Sequence, residues 1–234
     1  MEFRRVMESG PLERAVRSLW GEYQTKPIRH VRHLWRLWQL HREFDLTPPS
    51  AEEWTWGFQR GRIPDCFACL DNCCRGPHNT VLLRLVDVAL FVDRGWTDML
   101  TWEKPHFSEE VLSRRPMLRD MLRSFHWRIF PVLKQDAMGR CVFLSEEQTC
   151  TIHPHRPWVC RTFPYTLDIP GRRIGWSDRC ELPVQAAPQD PTARALEQAI
   201  LHNFYTEKIR DLVLVKVYKE ELHKMGITRW LRLD

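Results

Sequence analysis

The residues of this chain best suited to chemistry are its eight cysteines: Cys66, Cys69, Cys73, Cys74, Cys141, Cys150, Cys160 and Cys180. The first four read C-x2-C-x3-C-C. A C-x2-C pair lets two thiolates reach one metal ion across a tight turn, as in zinc sites and iron–sulfur centres. Cys73 and Cys74 are arranged differently. Successive side chains of an extended backbone point to opposite faces, so these two are not expected to be equivalent ligands of one mononuclear ion. Either one of them serves a second site, or the pair brackets a larger cluster. A buried thiolate is costly unless a metal or a positive group compensates it. Arg75 follows the cysteine pair, Arg156 lies between Cys150 and Cys160, and Arg161 follows Cys160. These three arginines are the candidate cofactor-binding residues, placed to support the site and, at Arg75 and Arg161, to donate hydrogen bonds to sulfur. Packing as small buried hydrophobes competes with ligation most at Cys141 and Cys180.

The setting favours metal over disulfides. A chain of 234 residues can bury a core without covalent staples, so the cysteines need another explanation. Met1-Glu2-Phe3-Arg4-Arg5 opens without an apolar stretch or cleavage site, and the longest apolar runs fall far short of a bilayer span. A cytoplasmic location without a transmembrane segment is the expectation, and there thiols stay reduced. The net charge of +5, much of it in the first 44 residues, comes without a dense basic stripe or a nucleic-acid motif. No nucleic-acid partner is expected; the charge suits solubility or a docking face for an acidic partner. No phosphate-binding loop, dinucleotide fingerprint, nucleophile elbow or zinc-protease helix motif is present. The cysteine order is the reverse of the C-x3-C-x2-C of radical enzymes that use S-adenosylmethionine, and no βαβ context surrounds Cys66 and Cys69 to make them a thioredoxin-like dithiol. Asp87 and Asp93 read as charges on a helix surface, His155 as a surface or hydrogen-bonding residue, and His153 as an additional candidate ligand.

The stretch Cys66-Phe-Ala-Cys69-Leu-Asp-Asn-Cys73-Cys74-Arg75-Gly76-Pro77 resembles the opening motif of a zinc- or iron-chelating cysteine-cluster family, also called YkgJ-like. Gly139-Arg-Cys141-Val-Phe143-Leu144 resembles its G-x-C-x-F-L. Cys150-Thr-Ile152-His153-Pro-His-Arg156-Pro157-Trp-Val-Cys160-Arg161-Thr-Phe163-Pro164 resembles its C-x-I-Y-x-x-R-P-x-x-C-R-x-F-P. The resemblance runs from about Cys66 to Cys180. Two departures stand out: three residues rather than two precede the cysteine pair, and His153 replaces the usual Tyr. The family is distantly similar to a flagellin lysine N-methylase, which implies an iron–sulfur cluster. The resemblance and the adjacent Cys73–Cys74 pair favour iron, as a 4Fe-4S cluster, with Zn2+ the alternative. The leading expectation is a redox or structural module holding that metal through thiolates. The alternatives are a cluster-dependent protein-modifying enzyme and a partner-docking protein with a structural zinc site.

The elements that must position these residues fall into three regions: an N-terminal helical extension over 1–61, a cysteine-cluster domain over 62–183, and a C-terminal helix over 184–234 packing on the core. The expected fold is mostly α with a small irregular β element, a single cysteine-rich, metal-centred domain with helical extensions. In the first region Pro27 opens a helix whose Ile28, Val31, Trp35 and Trp38 form one stripe, with Arg29, Arg32 and Arg36 opposite. This stripe is expected to pack on the core, with a membrane surface or a protein partner at the basic, Trp-rich face as the alternative. Ser50 and Glu53 form a capping box for a short helix through Trp54 and Phe58. In the middle region a helix covers 86–92, Ser108 caps another, strands over 127–133 and 141–144 join through Ala137-Met138-Gly139, and 150–153 is extended. The tail is one long helix over 191–225, with Leu196, Ile200, Phe204 and Val213 on its apolar side and Gly226 at its C-cap.

Overall fold

The structure is a computed structural model. It describes residues 9–25, 34–35, 38, 55–56, 62–64, 74–75, 80–103, 113, 130–168, 172–177, 180, 183–185, 210–211 and 213–231. The chain divides into two compact units built from interleaved stretches: Met1–Leu46, Leu82–Leu133 and Glu207–Asp234 in one, Thr47–Val81 and Lys134–Thr206 in the other.

The first unit is built on helices. Helix α1 (Pro11–Thr25) starts with Pro at its first position, where a missing N–H costs nothing. It buries Val16, Leu19 and Trp20 at the three- and four-residue spacing of one helical face. That face packs on α2 (Leu85–Asp93), which runs where the apolar sequence places it and is buried over nearly its whole circumference. The carboxylate of Asp93 accepts the backbone N–H groups of Leu12 and Glu13 at 2.9 and 2.8 Å, capping the positive end of α1. Gly10 leaves room for this carboxylate, since a Cβ there would meet it at 2.3 Å. Asp87 is buried, and it accepts the Arg84 N–H at 2.9 Å to close the start of α2. Both aspartates therefore cap helices rather than sit as surface charges. At the end of α2, Gly95 takes φ +69°; the Trp96 N–H reaches the Phe91 carbonyl at 2.9 Å, and the two rings meet edge-on, a Schellman ending with its hydrophobic contact.

Strand β3 (Leu100–Glu103) pairs antiparallel with β4 (Phe130–Leu133). This corrects the expected hairpin of 127–133 with 141–144. Beyond β4 the chain turns too tightly to form a second strand, and Cys141 keeps one isolated bridge, to Gln135. Pro131 is tolerated because its two-stranded sheet asks no ladder N–H of it. The tail is helical at 210–211 and 213–217, bends at Tyr218, and continues as the helix Lys219–Lys224. Val213, Leu214, Val215 and Val217 lie in the helical stretch and are buried. Gly226, at φ +70°, ends the helix as expected, with its N–H on the His223 carbonyl and that of Ile227 on Leu222. A further short helix, Thr228–Leu231, follows. Its Trp230 stacks on Trp102 at 6.2 Å and accepts the Trp102 indole N–H on its backbone carbonyl at 2.7 Å.

Trp35 and Trp38 are helical but exposed, as is the neighbouring Leu34, so the expected packing on a core is corrected at these two positions of the stripe. The other residues of that stripe, the Ser50–Glu53 box, the Ser108 cap, and Leu196, Ile200 and Phe204 lie outside the described residues.

The described residues of the second unit form short strands, turns and short helical segments. Strands β5 (Tyr165–Asp168) and β6 (Arg173–Trp176) pair antiparallel, and β1 (Thr55–Trp56) joins β6 in parallel. The helix expected through Trp54 is therefore not formed at 55–56: Thr and Trp favour a pleated surface, and cross-strand pairing outweighs the local capping signal. Strands β2 (Arg62–Pro64) and β7 (Pro183–Gln185) make a separate antiparallel pair.

Candidate metal centre

From residue 134 to 163 the chain of the second unit satisfies its backbone through a succession of turns. In the first, Asp136 accepts the N–H groups of Met138 and Arg140 on one oxygen at 2.8 and 2.9 Å and the Arg140 Nε on the other at 2.7 Å. Gly139 takes φ +73°, a conformation that favours glycine. The Arg140 N–H and side chain, followed by the Met138 N–H, hold the Asp136 carboxyl below the usual carboxylate range. This turn delivers Cys141, whose N–H donates to the Cys74 carbonyl at 2.8 Å. A second turn carries the chain from Cys141 to Leu144. A third, over Ser145–Thr149 with Gln148 at φ +63°, returns it so that Cys150 bridges Leu144 and the Thr151 N–H reaches the Phe143 carbonyl. The expected extended piece at 150–153 is confined to that bridge; a 3-10 turn over His153–His155 follows.

These turns gather Cys74, Cys141 and Cys150. All three are half-buried thiols outside any disulfide. Burial pushes the Cys141 thiol up to about 11, with Cys74 and Cys150 adding to the shift and the Phe143 N–H opposing it. Burial also raises Cys150, and Cys74 adds to it, while the Ile152 N–H and the Arg156 charge pull it down. The thiols are therefore close enough to repel one another as anions. Cys141 is not sealed in a core, as a packing cysteine would be.

Cys160 lies in the short helix α3 (Trp158–Thr162). Cys180 follows β6; its carbonyl accepts the Trp176 indole N–H at 3.0 Å, and its own N–H donates to Ser177. Cys66, Cys69 and Cys73 lie outside the described residues. Among the described residues, no three or more His, Cys, Asp and Glu side chains converge closely enough to hold a metal ion. Burial first, and then the Arg156 charge, lower the pKa of His153, favouring its neutral ring.

The arginines have separate surroundings. Arg75 and Arg156 are half-buried, and the charge of Arg156 is felt at both Cys150 and His153. Arg161 is exposed; its Nε donates to the Arg156 carbonyl at 2.7 Å and its guanidinium lies 5.8 Å from the centre of the Trp158 ring. That Nε is engaged with backbone rather than sulfur. The Asp136–Arg140 pair is a positioning feature not singled out above. Its sequence signal is an acid four residues before a base, with glycine between, immediately ahead of a cysteine.

A family model, CxxCxxCC, described as "Putative zinc- or iron-chelating domain", matches residues 65–181. The chain belongs to this family. The match contains all eight cysteines, and the chain departs from the spacing in the family's name by one extra residue before the cysteine pair. No curated protein and no solved structure matches the chain. Membership points to zinc or iron chelation, and the donor chemistry is consistent with it. Half-buried thiolates that would repel one another are stabilised by a bound cation, and the protons their thiols lose on binding it pass to solvent.

Proposed function

We propose that this protein holds a thiolate-ligated metal centre, a 4Fe-4S cluster ahead of zinc, in a cytoplasmic redox or structural module. The observation that carries the proposal is that backbone hydrogen bonds and turns, rather than a hydrophobic core, bring Cys74, Cys141 and Cys150 within electrostatic reach of one another, short of the convergence that a bound metal would impose. Cys74, Cys141 and Cys150 are the anchoring ligands; one cluster takes four thiolates, so one of Cys66, Cys69, Cys73, Cys160 and Cys180 completes it, and the others serve a second centre or pack. Soft thiolates suit both metals. An iron–sulfur cluster would supply one-electron exchange, whereas zinc would supply a cross-link alone. Arg156 places positive charge beside Cys150 and offsets part of the thiolate charge. Arg161 braces the loop that carries Arg156, and Arg75 follows the cysteine pair as a further compensating charge.

The test is anaerobic purification with metal and acid-labile sulfide analysis and an absorption spectrum. Brown protein containing iron and sulfide supports the cluster. Colourless protein with stoichiometric zinc replaces the cluster with zinc and retains the site. Replacement of Cys69, Cys141 or Cys150 by Ser is expected to abolish binding of either metal, and full retention in all three variants would overturn the assignment.

A further inference from the structure

Leu34, Trp35 and Trp38 are 57, 66 and 47% exposed. Their three- and four-residue spacing puts them on one helical face. The two indoles stack with centroids 4.8 Å apart and planes 24° from parallel, forming one flat apolar plate. Leaving that much aromatic surface in water is unfavourable, and Trp prefers a boundary that is apolar on one side and wet on the other. The neighbouring sequence supplies charge of one sign. Lys26, Arg29, Arg32, Arg36 and Arg42 lie between Glu22 and Glu43, and no Asp or Glu separates those two glutamates. Arg29, Arg32 and Arg36 repeat at the same helical spacing as the plate but in a different phase.

We propose that this segment is a docking surface for an anionic lipid bilayer. The stacked indoles and Leu34 enter the boundary between headgroups and acyl chains, and the arginines meet lipid phosphates. An apolar anchor combined with positive charge is what a lipid surface recognises, and it requires no shaped pocket. A stable protein partner would ask for a shaped patch of roughly 20 to 30 residues. Arg29, Arg32 and Arg36 interrupt the segment and leave it no uncharged stretch long enough to span a bilayer, so it would lie on the surface. The proposal is independent of the metal site.

The test uses the full chain with vesicles of phosphatidylcholine alone and of phosphatidylcholine mixed with phosphatidylserine, read by co-sedimentation and tryptophan emission. Binding to the mixed vesicles at low salt, weakening as salt rises, is expected. W35S/W38S should lower the partition coefficient roughly tenfold or more. R29Q/R32Q/R36Q should lower it by roughly fivefold per arginine, with circular dichroism and metal content unchanged. The arginine variant retains the apolar plate and so separates lost binding from lost folding. No binding at low salt, equal binding to neutral vesicles, or an unaffected arginine variant would overturn the proposal. So would tighter binding to polyglutamate than to vesicles, which would identify an acidic polypeptide as the partner.

Discussion

In the helical unit Leu85, Val88, Phe91, Val132, Val213 and Leu222 are sealed from solvent, and aspartates and glycines close its helix ends. In the cysteine unit the buried apolar side chains among the described residues are Phe143, Ile152, Pro157, Pro164, Tyr165 and Ile174, and the chain around the thiols is held by short-range turns. Burying a large apolar side chain contributes about 1.5–3 kcal/mol. A typical hydrogen bond contributes a net 0.5–1.5 kcal/mol, roughly, and fixing one residue costs about 1–2 kcal/mol of backbone entropy. A stretch ordered mainly by turns, as 134–163 is, therefore sits close to balance without a cross-link, and a metal bound by several thiolates would supply one.

The largest effect should come from removing that cross-link. Structural zinc stabilises small metal domains by an apparent ~10–16 kcal/mol. Chelation, or replacement of Cys150 by Ser, should therefore raise amide hydrogen exchange across 141–162 by orders of magnitude while the amides of 85–93 stay protected. Equal protection of both stretches after metal removal would show that the turns order the cysteine unit unaided and would erase the contrast.

The complementary perturbation is smaller and falls on the other unit. Phe91 is fully buried in α2, and Phe91→Ala should cost about 3–5 kcal/mol of stability in denaturant unfolding. Metal bound per folded chain should not change. A matching loss of metal would mean that the two units fold as one and that the comparison is only descriptive.

Legibility in the sequence followed the same divide. Helix α2 was legible because 86–92 is apolar almost without interruption, and the Gly226 ending because a glycine follows the last basic turn. The roles of Asp87 and Asp93 were not: a charge on a helix looks solvated until the backbone N–H groups it caps are located, and for Asp93 those belong to residues 12 and 13. Thr55–Trp56 was misread because its strand partner lies more than a hundred residues away, beyond the reach of a local capping signal. At the site, residue types and motif spacing pointed to thiolate chemistry. The contact of Cys141 with Cys74 was not legible, since it depends on the path of the chain between two motifs.

The finest test acts on the turn ahead of Cys141. Hydrogen bonds from the Arg140 N–H and side chain, with Met138 adding to them, hold the exposed Asp136 carboxyl below its ordinary range. A carboxyl depressed in the folded state stabilises that state above its unfolded pKa and loses this contribution as pH falls through the depressed value. At neutral pH, D136A should speed amide exchange at Arg140 and Cys141 by roughly two- to fivefold, the scale of an exposed charged pair. D136N keeps an oxygen for the two N–H groups and loses only the attraction to Arg140, so it should fall between D136A and the unaltered chain. Added salt should narrow the gap between D136N and the unaltered chain, because it screens an exposed pair. Once acid has protonated Asp136 that gap should close, while D136A stays faster because it lacks the oxygens. A gap between D136N and the unaltered chain that persisted into acid would place the turn's stability in its hydrogen-bond geometry and glycine conformation, and the charge of Asp136 would then contribute nothing to presenting Cys141.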